Sequence, residues 1–277
     1  MMQTSISNKP VLATKAKTML ANTCSHPVVL RSICINCRRE VADQHGQRFN
    51  YINHGLRLTK TEVVRMRNIQ TNILLKKKKL ILVLDLDETL LHHTARGSVT
   101  KEIESFQDVF RVKLTNSCSC TVKLRPFVLD FLEQASTMFE LYVYTNSSPH
   151  YAKEMVKLLD PDNKYFNTRL ISRVDSTVPG RKNLDIVMGQ ERAVVILDDR
   201  TDVWPVNKGN VIQVQSYKYF FPRDGASKSK SFAVRKVDED IKIMKSYLEI
   251  LKKIHCQYFD LGGGDVRDVM KKFKVKF

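Results

Sequence analysis

Leu80-Ile-Leu-Val-Leu84 runs without a break into Asp85-Leu-Asp87-Glu-Thr89-Leu-Leu91. Five consecutive aliphatic residues predict a strand buried on both faces, as in a parallel sheet. An ionised carboxylate is costly to bury without a cation or hydrogen bonds, so the strand must stop near Asp85. Asp85 and Asp87 then stand at a carboxyl-end rim, where open α/β sheets bind their ligands. The Asp-x-Asp-x-Thr spacing suits phosphoryl transfer through an aspartyl-phosphate. One Asp attacks phosphorus, while the second, two residues on, protonates the leaving oxygen and later activates water. Thr89 can tie the turn together with its hydroxyl. A strand followed by an Asp-rich turn and a helix cap uses the same residue types.

Two further buried strands end in polar residues. Phe139–Tyr144 leads into Thr145-Asn146, and Ala193–Leu197 into Asp198-Asp199. Before the first of them Pro126 opens a helix carrying Phe127, Val128, Phe131 and Leu132 on one face, and between the two a second helix runs from Pro149 to Leu159. Arg169–Ile171 and Val211–Val214 read as short strands, and Leu58–Asn72 as a connecting helix. Strands alternating with helices predict a doubly wound parallel α/β sheet with right-handed crossovers. In that fold the three polar strand ends meet on one rim, although more than a hundred residues separate the first from the last. After the first motif, Ser105–Val112 and Cys120–Leu124 flank the turn residues Thr115-Asn-Ser117, so a β-hairpin over the rim is expected. His92 and His93 follow the motif, and the proposed chemistry gives them no part.

The chain of 277 residues carries a net charge of +17, unevenly spread. Residues 1–80 hold 15 Lys/Arg and 3 Asp/Glu, a surplus of +12 that leaves +5 for the rest. Such an excess favours polyanionic partners: nucleic acid, anionic lipid or a heavily phosphorylated peptide. No stretch approaches the roughly 18 apolar residues of a membrane span, and no apolar leader follows the N-terminus, so no membrane partner is expected. Residues 1–22 read as a disordered tail. Lys76–Lys79 is either a nuclear signal or a solvated basic turn. Six Cys without a secretory leader argue for reduced thiols. Cys34-x-x-Cys37 has zinc-knuckle spacing and Cys24-x-His26 can complete a tetrahedral site; the alternative is a set of free buried thiols.

Around the first motif stand Lys123-Leu-Arg-Pro126, Tyr144-Thr-Asn-Ser-Ser148 with Tyr151-Ala152, Lys182-Asn-Leu184, Asp198-Asp-Arg200 with Val203-Trp204, and Tyr217-x-Tyr-Phe220. In this order they resemble the FCP-type phosphatases of the RNA polymerase II C-terminal domain, within the haloacid-dehalogenase superfamily, and among them the plant CTD-phosphatase-like branch. The resemblance covers about residues 24–259. It implies a haloacid-dehalogenase-like sheet over residues 74–233, preceded by a basic segment, 23–73, with the Cys/His cluster that such relatives also carry. Residues 234–277 are expected to form a helical extension, its apolar positions at Val237, Ile241, Met244, Leu248 and Leu251, with no BRCT module. An insert of roughly thirty residues after the first motif is too small to seal a metabolite pocket. An open site suits a phosphoprotein.

Two carboxylates as close as Asp85 and Asp87 need a hard cation, and magnesium suits oxygen ligands and phosphoryl oxygens. By resemblance its ligands are the Asp85 side chain, the Asp87 backbone carbonyl and the Asp198-Asp199 pair, Asp199 ahead of Asp198. The resemblance also gives Thr145 a hydrogen bond to the phosphoryl group and Lys182, through its spacing to Leu184, the role of neutralising charge at phosphorus. Thr89, Arg125, Asn146 and Trp204 complete the candidate substrate contacts. Arg125 can clasp a phosphate or pair with an acid; Trp204 can pack on a proline of an extended peptide or lie in the core. Relatives often carry His in place of Glu88 and Gly-x-Arg in place of Ser147-Ser-Pro149, which bears on how substrate is gripped. The implied function is a nuclear, magnesium-dependent serine/threonine phosphatase of the polymerase tail. Its alternatives are a phosphatase of another phosphoprotein or small ester, and a non-catalytic binder of nucleic acid or phosphopeptide.

Overall fold

A computed structural model of the chain describes residues 24–95, 108–115, 118–220 and 240–273. The residues divide into two compact units, Met1–Val63 and Val64–Phe277. The first holds an antiparallel sheet in the order β2-β1-β4-β3, built from β1 (Val28–Leu30), β2 (Ile33–Cys34), β3 (Gln47–Arg48) and β4 (Leu56–Leu58). Its core cluster is small: Val29, Cys34 and Val41, flanked by Cys24 and Cys37. Helix α1 (Lys60–Lys76) starts here, with the Thr59 hydroxyl accepting from the Glu62 backbone N–H at 3.3 Å. The division falls inside α1, upstream of the boundary expected at residue 73.

The second unit is organised by a five-stranded parallel sheet in the order β10-β9-β5-β11-β12. These strands are β5 (Leu80–Leu84), β9 (Phe139–Tyr144), β10 (Leu170–Ile171), β11 (Val194–Asp198) and β12 (Val211–Gln213). Every residue of β5 is fully buried. Leu80, Leu82 and Leu84 enter one core with residues of α2 (Val128–Met138), α3 (Pro149–Leu159), α4 (Ile241–Asp260) and α5 (Val266–Met270). On the other face Ile81 lies against Gly189. There α1 is joined to the sheet by Arg67 Nε donating to Gly189 O at 2.6 Å and Gln190 N donating to Thr71 Oγ1 at 2.8 Å. The uninterrupted aliphatic run of β5 is thus explained by helices on both faces. Helix α4 is no appendage: its Tyr247, Leu251 and Tyr258 belong to the main core.

The segment after the first motif is a three-stranded antiparallel sheet, β6-β8-β7, and not a two-stranded hairpin. Its members are β6 (Leu91–Ala95), β7 (Val109–Lys113) and β8 (Ser119–Leu124). The polar run His92-His93-Thr94 hides β6 from a reading based on apolar alternation. It forms because it pairs along its length with β8, Leu91 opposite Leu124 through Ala95 opposite Cys120. The tail 1–22, the start of the expected Ser105–Val112 strand and Val237 lie outside the described residues. Lys79, in the basic run after α1, donates to Ser136 O at 2.7 Å, so part of that run is structural.

Candidate active site at the sheet rim

Register aligns the three strand ends. Leu84 stands opposite Val143 on β9 and Leu197 on β11, and Asp85 N donates to Leu197 O at 3.0 Å. Beyond Asp85 the chain folds into a tight turn in which the Leu86 carbonyl accepts from Thr89, Leu90 and Leu91, with Glu88 at a positive φ of 61°. Glu88 holds that unfavoured conformation beside Ser216, whose hydroxyl bonds its carboxylate, and Lys218 at 3.6 Å. The Tyr217 N–H donates to its carbonyl at 2.7 Å.

At the centre Lys182 bridges two carboxylates. Its Nζ donates to Asp85 Oδ1 at 2.6 Å and Asp198 Oδ2 at 2.7 Å. The Tyr144 and Trp204 rings stand 5.9 and 5.7 Å from the ammonium. Burial works against its charge, but Asp85 and Asp198 outweigh it and hold Lys182 protonated above the ordinary lysine range. Arg181 is exposed and Lys182 buried, which separates two adjacent cations that the sequence left side by side. Burial, opposed by Lys182 and reinforced by Asp198, pushes the Asp85 carboxyl up to about 7. Burial and the neighbouring Asp198 and Glu88 push Asp199 up to about 6. Carboxylate oxygens of Asp85, Asp198 and Asp199 lie within 4.8 Å of one another. Three carboxylates facing one ammonium leave uncompensated negative charge, a donor set that fits a hard divalent cation. Asp198 is the most committed of the three, since it also accepts from Trp204 Nε1 at 2.8 Å and from the Arg200 backbone N–H at 2.8 Å.

Asp87 turns its side chain away from this cluster. Oδ1 accepts from the Tyr151 hydroxyl and from His93 Nδ1 at 3.0 Å, and Oδ2 accepts from Ser147 Oγ at 2.8 Å. Burial acts to raise its pKa, but these hydrogen bonds prevail and hold the carboxyl below the usual range. His93 is therefore no bystander, contrary to the expectation from sequence. Nothing in its local sequence marks it, because Tyr151 reaches it from a position more than fifty residues away. His92 is different: buried beside Phe220 and pushed down to about 4 chiefly by burial, its Nδ1 accepts from Phe220 N at 3.2 Å.

A cleft of about 270 Å³ opens over the cluster, lined by Asp85, Asp87, Thr145, Asn146, Lys182 and Asp199 among others. Thr145 Oγ1 accepts from Ser147 N at 3.0 Å, leaving its hydroxyl proton free to donate. Three candidate substrate contacts fall elsewhere. Thr89 is fully buried, and its hydroxyl accepts from Asp199 N at 3.2 Å, tying the first motif to the third. Trp204 is fully buried and braces Asp198. Arg125 also lies in the core, its guanidinium donating to Asp240 Oδ2 at 2.6 Å, Thr89 O at 2.9 Å and Gln215 O at 3.0 Å. It pairs with an acid and clasps no phosphate. Arg125→Met strands the Asp240 carboxylate in the core, and thermal melts should show a loss of about 3–5 kcal/mol.

In the first unit the four ligand atoms of Cys24, His26, Cys34 and Cys37 also lie within 4.8 Å of one another. Cys24 Sγ is 3.8 Å from Cys34 Sγ, and Cys37 Sγ is 3.3 Å from His26 Nδ1. A tetrahedral zinc with sulfur and imidazole ligands separates them by about 3.5–3.8 Å. Although burial opposes it, backbone N–H groups of Cys37 and Asn36 directed at the Cys34 sulfur help lower that thiol to about 6. All four residues fit the group.

The profile of the NLI interacting factor-like phosphatases matches residues 80–257. RNA polymerase II C-terminal domain phosphatase-like 4 of Arabidopsis thaliana is 37% identical over 272 residues, covering 91% of this chain and 62% of the relative. RNA polymerase II C-terminal domain phosphatase-like 3 of the same plant is 35% identical over 236 residues, 74% of this chain and 19% of its own length. This chain thus spans less than two thirds of either relative. A solved structure of Fcp1, an RNA polymerase II CTD phosphatase, superposes with a TM-score of 0.62 at 24% identity over 76% of this chain and 74% of that one, a likeness of fold. The matched segment opens on β5 and takes in every residue that surrounds the rim cleft: this chain belongs to the NLI interacting factor-like phosphatase family.

Proposed function

We propose that this chain is a magnesium-dependent protein serine/threonine phosphatase that works through an aspartyl-phosphate on the phosphorylated C-terminal tail of RNA polymerase II. The observation that carries the reading is the Asp85 carboxylate at the strand end, held by Lys182 at 2.6 Å beneath an open cleft. Asp85 is the nucleophile, kept in place by Lys182. Lys182 and the Thr145 hydroxyl neutralise and orient the phosphoryl oxygens. Asp87, outside the carboxylate cluster, is the general acid/base: its ionised carboxylate must first take up a proton to give to the leaving serine oxygen, and it then takes one from water. Magnesium, held by Asp85, Asp199 and the Asp87 carbonyl, supplies charge neutralisation when bound.

The cleft is smaller than the roughly 300–1,000 Å³ pockets that enclose small molecules. It suits one phosphorylated side chain presented by an extended chain. The relatives' names supply the polymerase tail as substrate, and that substrate implies a nuclear protein. The binder reading loses support because Phe49, one of few aromatics in the basic segment, is fully buried and unable to stack on a base.

Hydrolysis of phosphoserine heptad-repeat peptides, compared with a small phosphate ester before and after chelation, tests the reading. Peptide turnover that returns only with magnesium is expected. Preference for the small ester would select the alternative phosphatase, and no turnover of any phosphoester would select the binder.

We also propose that Cys24, His26, Cys34 and Cys37 hold structural zinc. A unit of some forty described residues with so small a core usually needs a staple, and the thiols are unpaired. Metal analysis should find about one zinc per chain in the unaltered protein and none after Cys34→Ser. Zinc-free unaltered protein that retains its fold would reject the site.

A further inference from the structure

The first unit carries a cavity of about 430 Å³ that the Cys/His cluster does not line. Arg31, Arg48, Arg57, Asn50 and His54 surround it with a single acid, Asp43. Arg57, on β4, is 4% exposed, and its guanidinium donates to the Ala42 and Val41 carbonyls. Carbonyls satisfy its N–H groups but leave its charge in place, and a buried charge calls for a counter-ion. The exposed Asp43 carboxylate stays 3.8 Å from Nη1. Arg48 stands directly opposite Arg57 in the register of β3 and β4, a position in which like charges repel. Arg31 comes from the tight turn between β1 and β2, where Arg31 and Ser32 both hold a positive φ, 48° and 67°. Such a turn favours Asn-Gly, so Arg-Ser stands there against local preference. Gly55 closes on this turn: the Arg31 N–H donates to its carbonyl at 3.1 Å, and a Cβ at 55 would come within 3.1–3.3 Å of Arg31 N, Cγ and Cα.

We propose that Arg31, Arg48 and Arg57 form a second phosphate site, occupied by a phosphoserine of the polymerase tail other than the one being hydrolysed. This rests on the reading of that tail as the substrate. Three guanidiniums against one carboxylate leave two positive charges at the cavity, with His54 neutral. A phosphoserine carries a charge of about −1.5 to −2 near neutral pH, whereas each phosphodiester of a nucleic acid carries one. Guanidinium forks also match phosphate oxygens two at a time. Among the described residues no Phe, Tyr or Trp lines the cavity, so a base finds no stacking platform there. A tail that repeats its phosphoserines and is held at one of them keeps the others at a raised local concentration around the same chain. The site therefore acts on KM for long, multiply phosphorylated substrates and leaves the chemical step alone.

The test titrates a singly phosphorylated heptad-repeat peptide into the full-length Asp85→Asn chain, which binds without turnover, with and without Arg31→Gln and Arg48→Gln together. Both arginines are exposed, and Arg57 stays in place because it holds the Ala42 and Val41 carbonyls. Two peptide sites per chain are expected before the arginine substitutions and one after them. With Asp85 intact, the same pair should raise KM for a multiply phosphorylated four-repeat peptide about ten-fold or more at constant kcat. Removing one of two facing cations should leave the melting temperature level or raise it. Equal site numbers and equal KM in both proteins would overturn the proposal. Lost binding with a lowered melting temperature would do the same, since it marks a structural role. Tighter binding of a single-stranded RNA with as many phosphates, abolished by the same substitutions, would give the site to nucleic acid and also overturn it. A single peptide site that the arginine substitutions remove supports this site and rejects the rim as the phosphoserine site; a single site that they leave intact refutes this proposal alone.

Discussion

Asp85→Asn is expected to lower phosphoester hydrolysis by at least about a thousand-fold, because an amide oxygen cannot form the aspartyl-phosphate. The same change should leave the melting temperature level or raise it. Asp85 is one of three carboxylates gathered around a single buried ammonium, and burial with the nearby Asp198 already drives its carboxyl up to about 7. Asn is close to isosteric and can still accept from Lys182. It removes the charge that the site can least accommodate, so lost activity with retained stability is the signature of a chemical role. Stopped activity together with a collapsed fold would point to a structural role, and unchanged activity would reject the covalent route. Magnesium should also stabilise the variant less than the unaltered protein, a difference measured by melting with and without the ion.

Lys182→Met carries the opposite signature. The lysine is buried and closes a bridge between Asp85 and Asp198, so its removal strands two carboxylates in a low-dielectric site. Breaking one side of such an arrangement costs about 3–5 kcal/mol, and the loss should be partly restored by magnesium. Activity should fall at least about a hundred-fold, because the cation facing the phosphoryl oxygens is gone. Denaturant titrations with and without magnesium, run beside peptide hydrolysis, read both effects. A variant as stable and as active as the unaltered protein would remove Lys182 from the mechanism.

The doubly wound sheet was legible because its strands advertise themselves. Leu80–Leu84 and Val194–Leu197 are unbroken apolar runs that two-sided burial explains, Phe139–Tyr144 is apolar but for Glu140, and each leads into a polar residue. Strand β6 was not legible. His92, His93 and Thr94 lack alternation, and their strand state comes from pairing with β8, a partner some thirty residues away. Arg125, Trp204 and Thr89 carried chemistry in their residue types but not their direction. Charge and aromaticity equally suit a substrate grip and a buried brace, and burial decided for the brace in all three. His93 shows the converse, a residue with no local signal drawn into the site by Asp87 and Tyr151.

From its sequence alone this chain determined where β5 and β9 begin and end and, to within one residue, where β11 does, and that Asp85, Thr145 and Asp198-Asp199 stand at their tips. An apolar run tolerates no uncompensated carboxylate, so the positions of the carboxylates mark the rim. Only the tertiary structure decided which groups each polar side chain meets. Lys182 lies between Asp85 and Asp198, and His93 with Tyr151 lies on Asp87, because short-range hydrogen bonds depend on directions set by packing across the whole sheet.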